Sequence, residues 1–279
     1  MKDLAGKVAV VTGSASGMGF AFANRFAEEG MSVVLADIEA EPLAMAEAAI
    51  KARGARVLAV RTNVLQDGDV EKLADAAFRT FGNVHVVCNN AGVSGTSGKP
   101  VWEAPQEDWD WVFGVNFWGV LRGIRAFVPR MIANGEEGHI VNTASLAGLQ
   151  GVAGLGVYCT TKFAVVGLSE SLWFDLHGMG ANVGVSVLCP GFVQTQIGNS
   201  ARNAPDSLQE WRTSDTAAAT QQLANALAEA GIEPAVVAEH VLDAVREPRF
   251  YVIPHAQAAI DATESRLAWM RDGTPGKTD

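Results

Sequence analysis

Short runs of apolar, mostly β-branched residues alternate with stretches of helical periodicity along most of the chain. The runs lie at residues 8–11, 32–36, 56–60, 84–88, 139–142, 183–189 and 250–253. The helical stretches lie at residues 17–29, 42–53, 70–81, 109–133, 158–177 and 234–246. Most runs are apolar at consecutive positions, which is typical of strands covered by helices on both faces. This alternation predicts an α/β fold with a doubly wound, mostly parallel, seven-stranded sheet.

Length and composition favour one folded unit. The 279 residues, 48% of them hydrophobic and 19% charged, are enough to bury the core of one sizeable α/β domain. We therefore expect a single domain over residues 1–279. Two segments depart from the alternation. Residues 194–232, rich in Ala, Gln and Asn, predict a partly helical flap, and the tail should fray from about residue 272.

Charge and cysteine content argue against several classes of protein. The formal net charge is −10 and basic runs are absent, so nucleic acids and anionic membranes are poor partners. The three cysteines have no C-x-x-C spacing and the five histidines are scattered, which argues against disulfides and metal sites. The sequence shows neither a signal-peptide core nor 18 consecutive apolar residues. We expect a cytoplasmic protein without a bound metal.

A glycine-rich turn, Thr12-Gly13-Ser14-Ala15-Ser16-Gly17-Met18-Gly19, follows the first apolar run. Gly13 permits a tight turn, Gly17 lets the backbone approach a pyrophosphate, and Gly19 lets helix and strand pack closely. The following helix presents free N–H groups and a positive dipole end to phosphates. A plain turn is the alternative, but its place between strand and helix favours a nucleotide site. The residues expected to contact the nucleotide here are Gly13, Ser16, Gly17, Met18 and Gly19.

Asp37 ends the second apolar run and indicates which dinucleotide binds. A carboxylate at this position accepts hydrogen bonds from both hydroxyls of a ribose and repels a 2′-phosphate. The next residue is Ile38, and the glycine-rich turn contains no basic residue. These features predict NAD rather than NADP, whereas a solvated Asp at a strand end is the alternative.

Two more strand ends carry amide and small side chains. Asn63-Val64 follows the third run, and the amide oxygen of Asn63 could accept a hydrogen bond from an adenine amino group. Asn89-Asn90-Ala91-Gly92 ends the fourth run, where amides can join neighbouring strands and small residues leave room for a cofactor. Ligands of such sheets bind outside the carboxyl ends of the strands. We therefore expect a dinucleotide to contact Asn63, Val64, Asn90, Ala91 and Gly92.

Tyr158 and Lys162 lie four residues apart at the start of a helical stretch. Residues with this spacing share one face of a helix. The field of the ammonium group favours the phenolate and should lower the pKa of Tyr158 from its ordinary value of about 10. A tyrosine with such a pKa can exchange a proton in a transition state. Taken alone, the pair is more often a helix surface pair.

Together these elements resemble the short-chain dehydrogenase/reductase family over residues 4–255. In family order, the chain contains Thr12-Gly13-x-x-x-Gly17-x-Gly19, Asp37, Asn89-Asn90-Ala91-Gly92, Asn116, Ser145, Tyr158-x-x-x-Lys162 and Pro190-Gly191. Each element alone is common, whereas the ordered set is specific. The chain departs from the family at Asn63, where Asp is common, and at Met18, where Ile is common. The resemblance implies a Rossmann fold and an NAD-dependent oxidoreductase that acts on a secondary alcohol or ketone.

The resemblance also implies residue roles. Tyr158 would protonate the carbonyl oxygen in reduction and accept the proton in oxidation, and Lys162 would hold the nicotinamide ribose and lower the pKa of Tyr158. Ser145 would hydrogen-bond the substrate oxygen, and Asn116 would break its helix locally and hold a water that relays protons. The segment after the sixth run would lie beside the nicotinamide, with the Val193 backbone and the Thr195 hydroxyl on the carboxamide. Its expected cofactor contacts are Pro190, Gly191, Val193 and Thr195.

The substrate pocket follows from the same resemblance. Its expected lining residues are Val93, Ser94, Leu146, Gln150, Val152, Leu155, Phe192 and Trp211. Most of them are apolar, which predicts a bulky, apolar alcohol or ketone, aromatic or steroid-like. Family members are usually dimers or tetramers, and the apolar faces of residues 112–127 and 163–174 predict a homotetramer, with a homodimer as the alternative. A dinucleotide-sensing regulator without catalysis, or another chemistry such as epimerisation, remains an alternative function.

Overall fold

All seven predicted strands are present and form one sheet. The computed structural model describes residues 1–95, 98–212 and 215–273. The strands are β1 (Val8–Thr12), β2 (Ser32–Asp37), β3 (Val57–Arg61), β4 (Val86–Asn89), β5 (Gly138–Thr143), β6 (Val183–Leu188) and β7 (Tyr251–Val252). Their order is β3-β2-β1-β4-β5-β6-β7, and every pair of neighbours is parallel. The predicted doubly wound sheet is therefore confirmed.

Helices connect the strands. Within the described part of the chain they are α1 (Gly17–Glu28), α2 (Ala40–Lys51), α3 (Asp69–Phe81), α4 (Gln106–Phe113), α5 (Gly119–Asn134), α6 (Gly156–Gly178), α7 (Gln209–Arg212), α8 (Asp215–Glu229), α9 (Pro234–Arg246) and α10 (Ala256–Asp272). Local sequence explains several ends. Pro234 occupies the first turn of α9, where a missing N–H costs nothing. Gly135 ends α5 at φ +69°, a conformation that glycine adopts without strain.

Each face of the sheet carries its own hydrophobic core. Val8 and Val10 of β1 pack in the core with α3, α5 and α6, whereas Ala9 and Val11 pack in the core with α1, α2 and α9. Val10 and Val11 are both fully buried. Burying one such side chain stabilises the fold by about 1.5–3 kcal/mol. Because helices cover both faces, the run is apolar throughout rather than alternating.

The strand order of the sheet reverses at β1. Strands β2 and β3 lie on one side of β1, and β4 to β7 lie on the other. Val10 pairs with Val34 of β2 on one side and with Val87 of β4 on the other. Helices leave these two strands towards opposite faces, which opens a crevice at their carboxyl ends. The glycine-rich turn after β1 and the segment after β4 form the two sides of this crevice.

The helix expected over residues 109–133 is divided into three parts. A π-helical turn, Gly114–Trp118, separates α4 from α5. Asn116 lies at the centre of this turn and is completely buried. A π turn widens the helix by one residue per turn and re-aims the side chains there. The hydrophobic periodicity alone indicated a continuous helix. The helix is instead interrupted by the π turn around Asn116.

The flap is largely helical. Residues 194–232 contain 3₁₀ segments at Ile197–Asn203 and Asp206–Leu208, followed by α7 and α8. Leu208 is fully buried and belongs to the same core as α5 and α6. The flap returns through a parallel bridge between Val193 and Ile232. The tail expected to fray from about residue 272 lies, beyond Gly273, outside the described residues. Among the described helices, none is long and apolar enough to cross a membrane.

Candidate active site

The largest group of predicted cofactor residues lines one cavity of about 180 Å³ at the carboxyl ends of β1, β2 and β4. We call it the dinucleotide cavity. The predicted residues that line it are Gly13, Ser16, Gly17, Met18, Gly19, Asp37, Asn63, Val64, Asn90, Ala91, Gly92 and Thr195. Glu39 and Arg202 also line it, and the sequence did not single out either as a cofactor residue.

The glycine-rich turn is packed so closely that side chains are excluded at two of its glycines. Gly13 has φ +66°, and a Cβ there would lie 2.9 Å from the Cα of Ala91. A Cβ at Gly19 would lie 2.1 Å from the carbonyl oxygen of Gly13. The close approach of α1 to β1 and β4 therefore depends on these glycines.

The start of α1 suits an anionic group. Ser16, the residue that caps α1, makes no side-chain hydrogen bond to the helix, and the first turn holds no acidic side chain. The N–H groups of Gly17 and Met18 therefore begin the helix on the cavity wall without a carboxylate competing for them. This arrangement fits the pyrophosphate of a dinucleotide.

Asp37 and Asn63 are held by main-chain hydrogen bonds. The Asp37 carboxylate accepts from the N–H of Ala15 at 2.9 Å with one oxygen and from the N–H of Glu39 at 3.1 Å with the other. Each oxygen keeps a second lone pair, so the carboxylate fits ribose hydroxyls. The amide oxygen of Asn63 accepts from the N–H of Leu65 at 3.0 Å. The Asn63 oxygen that is expected to accept a hydrogen bond from adenine therefore also stabilises the turn from Asn63 to Leu65.

Asn90 joins the ends of three neighbouring strands. Its Nδ2 donates to the carbonyl of Thr12 at 3.0 Å, and its main-chain N–H donates to the Thr12 hydroxyl at 2.9 Å. The Thr143 hydroxyl donates to its Oδ1 at 3.3 Å. These bonds connect β1, β4 and β5 beneath the dinucleotide cavity and leave the side chain little freedom.

The four predicted catalytic residues lie around the ends of β4 and β5. Asn116 accepts from the N–H of Val93 at 2.8 Å and donates to its carbonyl at 2.9 Å, so the π turn is tied to the segment after β4. Lys162 is buried, and its Nζ donates to the carbonyl of Thr143 at 2.9 Å. A Cβ built on Gly92 would lie 3.6 Å from that Nζ and 3.4 Å from Asn116 Oδ1. Gly92 thus connects the dinucleotide cavity to both residues.

Ser145 and Tyr158 form the other half of this group. The Ser145 hydroxyl accepts from the N–H of Ala147 at 3.1 Å and lies 3.4 Å from the carbonyl of Pro190. The Ser145 hydroxyl also interacts with the hydroxyl of Tyr158 and favours its phenolate form. The ammonium of Lys162 lies 5.5 Å from the centre of the Tyr158 ring. A substrate oxygen could therefore contact a phenol and a second hydroxyl together.

The electrostatic effect of Lys162 on Tyr158 differs from the sequence prediction. Burial raises the pKa of Tyr158 to about 12, and the hydrogen bond with Ser145 opposes that rise. Burial also lowers the pKa of Lys162 to about 8. Lys162 donates to a carbonyl rather than to the phenol, so desolvation outweighs its attraction for the phenolate. The protein groups alone hold Tyr158 in its protonated form.

A smaller cavity of about 60 Å³ adjoins the dinucleotide cavity. We call it the substrate cavity. Its lining includes Tyr158 and two of the predicted substrate residues, Ser94 and Leu155. The two cavities share walls from the same segments, because Val93 lines the first and Ser94 the second. Gly198 and Ala201 bring the flap to its other side.

Most of the other predicted substrate residues lie elsewhere. Gln150, Val152 and Phe192 are exposed, and Phe192 exposes 55% of its surface. Trp211 lies under the ammonium of Lys99, at 4.4 Å from the ring. Of the eight predicted residues, Leu146, Gln150, Val152, Phe192 and Trp211 do not line either cavity. The loops after β5 and β6 leave Gln150, Val152 and Phe192 exposed, which the apolar composition did not indicate.

The substrate cavity contains residues that sequence reasoning missed. Asp108 of α4 is completely buried and lines it, as do Thr220 and Gln221 of α8. The signal for Asp108 was an acidic residue on the apolar face of a helix. Nothing local marks Thr220 or Gln221, because their position depends on how α8 folds back over the site.

The segment after β6 lies at the edge of this site. Thr195 lines the dinucleotide cavity, and a Cβ at Gly17 would lie 3.0 Å from its methyl group. Val193 is buried, and the hydrogen bonds of its bridge to Ile232 run through the flanking residues. The N–H of Gly191 donates to His255 at 3.0 Å. Pro190, Gly191 and Val193 do not line either cavity, so their predicted cofactor contacts remain predictions.

A parallel sheet in this strand order, with a glycine-rich turn after β1 and a Tyr-x-x-x-Lys pair beside the crevice, defines a Rossmann-fold oxidoreductase. Comparison with known proteins specifies the family. A family model described as short chain dehydrogenase matches residues 7–206. The chain belongs to the short-chain dehydrogenase/reductase family.

Three relatives illustrate the likeness. A 1-deoxy-11-beta-hydroxypentalenate dehydrogenase from Streptomyces exfoliatus is 46% identical over 191 residues, 68% of this chain and 69% of the relative. A 3beta-hydroxysteroid dehydrogenase 2 from Eggerthella lenta is 37% identical over 220 residues, 78% of this chain and 83% of the relative. The crystal structure of a short chain dehydrogenase/reductase from Burkholderia phymatum in complex with NAD is 40% identical, with a TM-score of 0.95, and the match covers 100% of this chain and 99% of that one.

Proposed function

We propose that the protein is an NAD(H)-dependent oxidoreductase that transfers hydride between nicotinamide and a secondary alcohol or ketone. The observation that carries the proposal is the position of Tyr158. It lines a cavity that adjoins the dinucleotide cavity, the Ser145 hydroxyl interacts with its phenol, and Lys162 lies next to the connecting residue Gly92. A bound nicotinamide supplies the hydride donor or acceptor, and the protein supplies position and protons.

The side chains divide the proton chemistry between them. Tyr158, protonated at neutral pH, donates a proton to the ketone oxygen during reduction. Ser145 donates a hydrogen bond to the same oxygen as negative charge develops on it. Lys162 is anchored on the carbonyl of Thr143, and Asn116 donates to the hydroxyl of Thr161, which donates to the main-chain carbonyl of Tyr158. During oxidation the same residues act in reverse.

The choice of NAD over NADP rests on Asp37. Its carboxylate lies on the cavity wall, where it would repel the phosphate of NADP. The NAD complex of the Burkholderia phymatum relative supports the same choice. Asp37→Asn should raise the ratio of kcat/KM with NADP to that with NAD by about tenfold or more. The equivalent change at the exposed Asp75, which pairs with Arg130, is the control.

A bulky, apolar substrate, aromatic or steroid-like, is the substrate class that we favour. The names of relatives include a hydroxysteroid dehydrogenase and a hydroxypentalenate dehydrogenase. The substrate cavity measures about 60 Å³, whereas cavities for drug-sized ligands measure roughly 300–1,000 Å³. A bulky substrate therefore requires the walls of this cavity to move apart, and α8 forms one of those walls.

Two alternatives predict different observations. A dinucleotide-sensing regulator would bind NADH but turn over no alcohol or ketone. An epimerase would convert its substrate without net change in NADH. The phenol of Tyr158 on the wall of the substrate cavity, with Ser145 favouring its phenolate form, favours net alcohol and ketone chemistry over both.

A substrate panel tests the proposal. Secondary alcohols that include a hydroxysteroid, a 1-arylethanol, a cyclic terpenoid alcohol and a sugar are incubated with NAD and with NADP, and nicotinamide absorbance is followed. Tyr158→Phe should lower turnover by about 10²–10⁴-fold while NADH binding persists. Full activity of this variant would contradict the mechanism, and exclusive turnover of the sugar would contradict the apolar substrate.

The oligomeric proposal is a homotetramer built on α5 and α6. Trp173 and Phe174 of α6 expose 37% and 67% of their surfaces, and Trp118, just before α5, exposes 45%. Exposed aromatic side chains of this size favour burial against another subunit. A monomeric mass by light scattering at micromolar concentration would contradict the proposal, and a dimeric mass would favour the homodimer.

A further inference from the structure

An ion pair connects the flap to the loop after β2. Arg202, in the 3₁₀ segment Ile197–Asn203, donates to both carboxylate oxygens of Glu39, from Nε at 2.9 Å and from Nη2 at 2.7 Å. Glu39 follows the ribose-binding candidate Asp37 by two residues and donates its N–H to that carboxylate. Bidentate pairs of this kind combine charge with fixed geometry.

The guanidinium of Arg202 also stabilises its own segment. Its Nη1 donates to the carbonyls of Gln196 and Asn199, at 3.3 and 2.9 Å. The same group therefore fixes the first turn of the flap and its attachment to Glu39. The hydrogen bonds with Glu39 raise the pKa of Arg202, and those with Arg202 lower the pKa of Glu39, so both groups are charged at neutral pH.

The pair lies at the rim of the dinucleotide cavity. Arg202 and Glu39 both line that cavity, yet their side chains expose 33% and 23% of their surfaces. The pair thus spans the opening between the cavity and solvent at the end that contains Asp37. A dinucleotide seated on Asp37 would lie beneath it.

The segment that carries Arg202 also reaches the substrate cavity. Gly198 and Ala201 line that cavity, and the Ser200 hydroxyl accepts from the N–H of Ser94 at 3.0 Å. One short segment therefore contacts the rim of the dinucleotide cavity at one end and a wall of the substrate cavity along its length. Loss of the Arg202–Glu39 ion pair would therefore loosen both the rim of the dinucleotide cavity and this wall of the substrate cavity.

We propose that the Arg202–Glu39 ion pair is a latch that closes the flap over the dinucleotide, so that Arg202 and Glu39 are positioning residues for dinucleotide retention. The proposal rests on dinucleotide binding as proposed above. The flap must release Glu39 before the dinucleotide can leave, and a closed latch holds Gly198 and Ala201 at the substrate cavity.

The size of the effect follows from the exposure of the pair. A partly exposed ion pair contributes little free energy to the state in which it forms. Because the Arg202–Glu39 pair is bidentate, we expect its contribution to lie at the upper end of the range for exposed pairs. Loss of the latch should accelerate NADH dissociation by about three- to tenfold. High salt should accelerate dissociation from the wild type more than from variants that lack the latch, because salt screens exposed charges.

The experiment measures NADH dissociation from the full-length protein by stopped-flow displacement. Glu39→Gln, Arg202→Gln and the double variant should show the same acceleration, because each removes the same interaction. Arg202→Lys keeps the positive charge but loses the bidentate geometry of the guanidinium. Its NADH dissociation rate should lie between those of the wild type and Arg202→Gln. Arg130→Gln breaks a similar pair between α5 and α3 and should leave the rate unchanged.

The outcomes separate the latch from the proposed function. Additive effects of Glu39→Gln and Arg202→Gln, or rates within twofold of wild type in both, would overturn the latch while NADH binding itself stands. A wild-type protein that binds neither NADH nor NADPH would overturn the latch and the proposed function together. Identical acceleration in the two single variants and the double variant, without change in Arg130→Gln, is the result that we expect.

Discussion

Lys162 Nζ donates a hydrogen bond to the carbonyl of Thr143 at 2.9 Å, which fixes a buried ammonium between α6 and the end of β5. Its three donors leave two for other partners. Gly92 lines the dinucleotide cavity, and a Cβ built on it would lie 3.6 Å from the same nitrogen, at van der Waals contact. Lys162 is thus held by the fold and lies next to a residue of the dinucleotide cavity, although it does not itself line that cavity.

Replacing Lys162 by Met tests whether this ammonium has two roles. Loss of hydrogen bonds to a ribose should weaken NADH binding by about 10–100-fold. Loss of charge near the proton-transfer group should lower kcat by about 10²-fold or more. NADH titration and steady-state kinetics measure the two effects separately. Lys72→Met, at an exposed pair with Asp69, is the control; a change in only one of the two quantities would contradict one assigned role.

The phenol of Tyr158 should remain protonated to high pH. The chain contains two tyrosines, so Tyr251→Phe leaves Tyr158 as the only phenol to titrate. Burial raises its pKa to about 12, compared with about 10 in an unfolded chain. At pH 10 the folded variant should therefore show little tyrosinate absorbance, whereas the same protein in denaturant should be about half ionised.

The same titration in the presence of NAD measures how far a bound dinucleotide changes this pKa. Ser145→Ala, added to Tyr251→Phe, should raise the pKa of Tyr158 further, because the hydrogen bond with Ser145 lowers it. Half-ionisation of the folded, dinucleotide-free variant below pH 9 would contradict the dominance of burial.

Local sequence patterns predicted the strands and a large part of the dinucleotide cavity, because many of its residues lie at or just after a strand end. Asp37, Asn63 and Asn90 all occupy such positions, and the parallel sheet places its strand ends along one edge. The shared fold therefore positions them without any further information. The same holds for Tyr158 and Lys162, which share a helix face.

The flap and the substrate cavity depended on contacts that no local pattern encodes. Arg202 and Glu39 form an ion pair although they are 163 positions apart in sequence. The sequence showed that Arg202 is a charged residue of the flap, but it did not indicate its partner. Phe192 is exposed and does not line the substrate cavity, so its predicted substrate contact remains a prediction. Apolar composition predicts burial on average and does not specify the direction in which a loop side chain points.

Two glycines provide a matched test of close packing. A Cβ at Gly19 would lie 2.1 Å from the carbonyl of Gly13 and 2.7 Å from Nδ2 of Asn90, neither of which can move freely. Gly19→Ala should lower the free energy of unfolding by about 1–3 kcal/mol and weaken NADH binding. Gly178, the last residue of α6 and outside the proposed interface, has no heavy atom within 4 Å of such a Cβ. Gly178→Ala should instead change the free energy of unfolding by no more than about 0.5 kcal/mol. Urea denaturation measures both changes, and equal effects would contradict the packing argument.

His139 should make the folded state sensitive to acid. It is buried on β5, and its Nε2 lies 2.8 Å from the Ser186 hydroxyl, which donates its proton to the carbonyl of Arg249. Nε2 must therefore carry the proton, and a neutral ring satisfies the bond. Burial and the amino-terminal ammonium lower the pKa of His139 to about 4, compared with about 6.5 in an unfolded chain.

The sign of the effect follows from the proton balance of the two states. Between about pH 6.5 and 4 the unfolded chain binds a proton at His139 and the folded chain does not, so stability falls as the pH falls. The resulting decrease in the free energy of unfolding approaches about 3 kcal/mol near pH 4. Urea denaturation at several pH values gives the slope of stability against pH.

His139→Gln removes the titrating group, so it should reduce that slope at pH 5 by about 1.4 kcal/mol per pH unit, the value for one proton. Ser186→Ala is the control. It removes the hydrogen-bond partner and lowers stability, but it leaves the imidazole buried and should keep the slope. His85, whose pKa burial also lowers, retains its share of the pH dependence in both variants. An unchanged slope in His139→Gln would show that the imidazole of His139 does not account for the sensitivity to acid.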